Sequence, residues 1–99
     1  MEDKFYLDIY ELLIKYKFIK NESEFGLYWM GKSESYWRNL RCRDASPSVG
    51  AIAVCGTKLR YYGNLFSAVE DRRELSEAFL QHSAICYKYV NRLVGRGIC

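Results

Sequence analysis

Between Lys32 and Arg43 the chain gathers side chains whose types suit pairing with nucleic acid. Arg38 can bind guanine bidentately, Asn39 can bind adenine, and Glu34 can accept from cytosine, with Ser33 and Ser35 able to serve several bases. Lys32, Arg41 and Arg43 suit phosphates, which position a protein without reading sequence. The segment holds four basic residues against one acid, Glu34. For such groups to reach base edges they must stand on the exposed face of a helix that fits the major groove. A second basic series, Lys88, Arg92 and Arg96, recurs every four residues with no acid from Ser83 onward. It forms one stripe on a helix, suited to a DNA backbone or an acidic partner, and equally to a solvated surface.

Other chemistries find little support. His82 is the sole histidine. It would share a helix face with Cys86, but a structural zinc site wants four ligands, and the chain has no C-x-x-C pair. Glu70 and Asp71 are adjacent, so on a helix they point about 100° apart, a poor geometry for paired carboxylates. The phosphate-cradling motif G-x-x-x-x-G-K-[ST] is absent. The residues therefore predict no enzyme, no metal and no cofactor. Lys58-Leu59-Arg60-Tyr61-Tyr62 and Tyr87-Lys88-Tyr89 interleave aromatic and basic residues and would permit stacking on single-stranded bases. Tyrosines at helical spacing more often bury the ring and leave the hydroxyl at the surface, and that reading is preferred. With aromatics at 16% of the chain, a dimer or partner interface is also well supplied.

These side chains need elements to hold them, and the apolar spacing predicts helices throughout. Ninety-nine residues with 49% hydrophobic and 27% charged content suit one globular domain, residues 1–99. A net charge of +3 does not by itself announce a nucleic-acid binder. Phe5, Ile9, Leu12, Leu13, Tyr16 and Ile19 predict an amphipathic helix over 3–19. Asn21 with Glu24 resembles a capping box opening a short helix through Trp29. Met30-Gly31-Lys32 is a turn, after which Ser33 would cap a third helix that packs through Tyr36, Trp37 and Leu40. Trp37 and Leu40 face away from Arg38 and belong to the core. Arg43-Asp44-Ala45 is a loop. Ser46 before Pro47 starts a fourth helix with Val49, Ile52, Cys55 and Leu59 on one face, ended by Gly63-Asn64. Residues 65–93 remain helical, as one helix or as two broken near Ser76. The expected fold is all-α: a bundle of four short helices plus a C-terminal segment, 65–94. That segment covers the core and offers Leu75, Phe79, Cys86, Val90 and Leu93, widened by Ala78, Ile85 and Tyr89, to a dimer partner. No apolar run is long enough to span a membrane, and Met1-Glu2-Asp3 does not begin a signal peptide. Cys42, Cys55, Cys86 and Cys99 are expected to be reduced thiols in a cytoplasm.

With Gly31 as the turn glycine, residues 23–42 resemble the helix–turn–helix of the Cro and lambda-repressor family. Trp37 stands at the buried aliphatic position of the recognition helix and Leu40 at the next. That family commonly continues P-S-x-x-x-L-x-x-(L/I)-A-x-x-L, and here Pro47, Ser48, Ile52, Cys55, Gly56 and Leu59 keep those spacings. The resemblance runs from residue 5 to about 62. Leu27 stands where the family has a small residue at the helix crossing, Lys32 where it commonly has an apolar one, and no glycine precedes the Pro-Ser helix. The resemblance implies a small, sequence-specific duplex-DNA-binding transcriptional regulator of bacterial or phage type, such as a repressor. It would work as a homodimer and bind DNA through residues 32–43. The alternative is a non-catalytic adaptor or phage-type inhibitor that turns the same architecture towards a protein partner.

Overall fold

Phe5, Ile9 and Leu13 recur every four residues, and with Tyr6 they form the buried face of the first helix, α1 (Phe5–Lys15). The computed structural model describes residues 4–98, with side chains through Gly95. The helix predicted to reach Ile19 ends earlier because Lys17 adopts a left-handed φ of 64°. Phe18 N then donates to Leu13 O at 2.9 Å and Lys17 N to Ile14 O at 3.1 Å, closing a Schellman turn. Ile19 is buried nonetheless, from the loop. Asp3, at the start of the predicted helix, lies outside the described residues.

Asn21 caps α2 (Glu22–Glu24) as its sequence predicts: its Oδ1 accepts from Glu24 N at 3.1 Å. Glu24 Oε1 returns to Lys20 N at 2.8 Å, one residue earlier than a capping box would place it. The helix continues as a π-helical turn, Phe25–Trp29. Gly31, at φ 66°, reverses the chain, and Lys32 N donates back to Gly26 O at 2.9 Å.

The third helix, α3 (Tyr36–Cys42), starts two residues later than a cap at Ser33 predicts. Tyr36 N donates to Ser33 O at 3.3 Å, so residue 33 closes a turn ahead of the helix, and its hydroxyl lies 3.4 Å from that of Ser35. Neither serine makes a side-chain cap with the helix. A second Schellman turn ends α3, with Asp44 at φ 52° and Ala45 N donating to Leu40 O at 2.9 Å.

The fourth helix, α4 (Val49–Phe66), is opened by Ser48, whose Oγ accepts from Ala51 N at 3.1 Å. Ser46 does not start it; its hydroxyl lies 3.3 Å from the Tyr6 hydroxyl. Gly63 and Asn64 do not end it either, for a reason that lies in the last helix. After a 3-10 turn, Glu70–Arg72, α5 (Arg73–Ile98) runs as one helix, with Ser76 in its interior. The protein is all-α, and no strand occurs among the described residues.

The chain divides into two compact units, up to Ala51 and from Ile52 onward. The first has an aromatic centre. Trp37 meets Phe25 at 4.8 Å and Tyr6 at 5.9 Å, both edge-on, and Tyr10 at 5.5 Å. Edge-to-face packing of this kind is favoured by the ring quadrupoles. The second unit is an antiparallel helix pair built on small residues. Ser83 Oγ donates to Gly56 O and Ser76 Oγ to Gly63 O, each at 2.7 Å. The two glycines are seven residues apart on α4 and the two serines seven apart on α5. A Cβ at Gly56 would stand 2.7 Å from Cys86 Cβ, and one at Gly63 2.7 Å from Leu80 Cδ2. Gly63 is therefore a contact glycine inside the helix. Leu75, Phe79 and Cys86, expected to face a partner chain, are instead buried, Phe79 against Phe66 and Gly63 and Cys86 against Gly56.

Candidate nucleic-acid interface

Two faces of α3 have opposite character. Trp37 and Leu40 are buried, whereas Arg38, Asn39 and Arg41 are exposed. A seven-residue helix cannot hold itself together in water, so it depends on that buried face. Gly26 sets how closely it approaches the preceding segment. A Cβ there would meet Ser33 O at 2.9 Å and Trp37 N at 3.3 Å. Gly26, not position 27, is thus the small residue at the crossing, and Leu27 lies exposed. The π turn explains the displacement, since it carries one residue more than an α turn.

The predicted base-reading residues separate into two groups. Arg38 and Asn39 stand on the helix, while Ser33, Glu34 and Ser35 lie in the turn before it. Lys32 is exposed in that turn with its ammonium 5.9 Å from the Tyr36 ring centroid. Arg43 is exposed, and its Nε donates to Asn39 O at 3.4 Å. Arg41 is less available than its sequence position suggests, because Glu22 at the start of α2 holds it in an ion pair. Burial and the Glu22 carboxylate raise the Tyr10 hydroxyl pKa above the ordinary tyrosine value, against the lowering effect of Arg41. Glu22, Arg38, Arg41 and Cys42 border one shallow depression on the surface.

On α5, Lys88 and Arg92 are exposed, with the Arg92 guanidinium 5.7 Å from the Tyr89 ring centroid. The side chain of Arg96 lies outside the described residues. No cluster of three or more His, Cys, Asp or Glu able to hold a metal occurs among the described residues. No described helix is long and apolar enough to cross a membrane.

Three residues of this surface escape a reading of sequence alone. Glu22 carries no signal that it would reach Arg41, nineteen positions away. Tyr36 looks like a core aromatic, yet its hydroxyl accepts from Ser48 N at 2.9 Å and so ties α3 to the start of α4. Gly26 could have been found from its spacing of five to Gly31, had the extra residue of the π turn been foreseen.

No curated protein and no solved structure matches the chain. A family model described as "Family of unknown function (DUF6626)" matches residues 7–97, nearly the whole length, and the chain belongs to that family.

Proposed function

We propose that the chain is a small regulator that binds duplex DNA by laying α3 in the major groove. Arg38 and Asn39 read base edges there, and Lys32 and Arg43 hold phosphates on either side. Ser33, Glu34 and Ser35 contribute from the turn, where they approach the groove edge before the helix enters it. One observation carries the reading: Arg38 and Asn39 are adjacent and exposed on a helix whose other face is fixed by the buried Trp37 and Leu40. Polar groups held on a rigid element are what direct readout needs, because an unfixed side chain pays its ordering entropy on binding. No catalytic role is part of this proposal.

Glu22 favours a second reading, in which the chain is a protein-binding adaptor. By pairing with Arg41 it reduces the positive field on this surface. Binding of the full chain to random-sequence duplex DNA across a salt series separates the two. The DNA reading expects a linear fall of log affinity with log salt concentration, as phosphate contacts release counterions. Absence of binding at low salt supports the adaptor.

A further inference from the structure

The outward face of α4 in the second unit carries a groove of about 550 Å³ lined by Ala53, Val54, Thr57, Lys58, Tyr61 and Tyr62. It is apolar, and its large side chains are exposed: Val54 by 43%, Tyr61 by 62%, and Leu65 just beyond it by 52%. Val54, Lys58, Tyr61 and Leu65 fall within about 60° of one another on a helical wheel. The buried residues Ile52, Gly56, Leu59 and Gly63 occupy the opposite side. A helix already packed through one face against α5 thus presents a second packing face.

We infer that this face binds a second copy of the chain, with the two α4 helices antiparallel about a two-fold axis. The order of residues argues for this occupant. A two-fold interface must be self-complementary, so that residue i meets j and j meets i. Read from either end, the stripe is apolar, then cationic or aromatic, then apolar. Antiparallel alignment centred between Lys58 and Tyr61 sets Val54 opposite Leu65 of the second copy. It also sets the Lys58 ammonium against the Tyr61 ring of that copy, twice over, as a cation–π pair. Both apolar ends and both cations meet complementary groups in one arrangement, and no carboxylate is needed. Indeed α4 contains none. A single helix face is smaller than the roughly 800 Å² per partner typical of stable complexes, so the dimer is a weak one. The inference does not depend on DNA reading by α3.

Sedimentation equilibrium of the full chain between about 5 and 500 µM tests it. The wild type is expected to pass from monomer to dimer with rising concentration. Tyr61→Arg places like charges opposite Lys58 and should raise the dissociation constant at least tenfold, with helix content by circular dichroism unchanged. Adding Lys58→Glu to Tyr61→Arg sets the introduced carboxylate against the introduced guanidinium across the axis. That double variant should recover the dimer, which a merely misfolded variant would not do. A wild type of 11.7 kDa at every concentration overturns the proposal and leaves the groove to a different partner. A dimer indifferent to Tyr61→Arg, or a failed recovery in a folded double variant, overturns it as well.

Discussion

Gly26 sits so close to Ser33 that a Cβ on the glycine would lie 2.9 Å from the serine carbonyl oxygen. Both atoms belong to the backbone framework, so no side-chain rotation can relieve that contact. Gly26→Ala should destabilise the protein by about 1–3 kcal/mol, more than offsetting the helix propensity that alanine gains. Denaturant unfolding would measure it, and an unchanged or raised midpoint would show that α3 does not rest on Gly26.

Trp37 anchors the same helix from within. It is fully buried among Tyr6, Tyr10 and Phe25, and its indole N–H has no hydrogen-bond partner among the described residues. Trp37→Ala should cost about 3–5 kcal/mol through the cavity it leaves. Trp37→Phe keeps most of the packing and removes the buried donor, so it should cost clearly less. Thermal melts of the two variants give the comparison, and equal losses would contradict this account.

Arg38 offers the sharpest functional contrast. It is exposed, so Arg38→Ala should leave the melting temperature within about 2–4 °C, an exposed change usually staying within about ±0.5 kcal/mol. Affinity for a selected DNA site should fall by about 1–3 kcal/mol, with discrimination relaxed at one base pair. Glu22→Gln should act in the opposite sense by releasing Arg41, raising non-specific affinity and steepening the salt dependence. Titration of fluorescent duplexes at several salt concentrations reads both effects.

Gly56 permits a close approach of α4 and α5. A Cβ there would stand 2.7 Å from Cys86 Cβ, an atom that cannot swing away. Gly56→Ala should therefore separate the helices, weaken the Ser83 hydrogen bond to Gly56 O and cost about 1–3 kcal/mol. Hydrogen exchange of the α5 amides would report the loosening; protection equal to wild type would refute it.

The Cys55 thiol is held well above its ordinary pKa, first by its hydrogen bond with the Cys86 thiol and then by burial. In the unfolded chain a cysteine titrates near about 8.5. Below that pH both states are protonated and the contribution to stability is complete. As pH rises further the unfolded chain loses the proton first, so stability falls steadily until the folded thiol also ionises. Melting temperature should decline as pH rises from about 8 to 9. Cys55→Ala should flatten that slope even though it lowers the melting temperature at every pH.

Elements whose signals are local can be read from the order of residues alone. The recurrence of Phe5, Ile9 and Leu13, the Asn21 cap and the opposed characters of Trp37 and Arg38 depend only on helical periodicity and nearby backbone donors. Those signals made the all-α fold and the buried face of α3 legible. Tertiary structure alone decided where small residues were needed and which charges met. Gly26, Gly56 and Gly63 resemble helix weakeners or terminators in sequence, because a missing side chain leaves no periodic trace. Their role appears only once Ser33, Cys86 and Leu80 arrive from distant positions. Glu22 likewise finds Arg41 through the fold, and Leu75, Phe79 and Cys86 turn inward because α4 supplies glycines for α5 to approach. Periodicity tells a helix that it has an apolar face; the partner that covers that face is chosen by contacts the local chain does not contain.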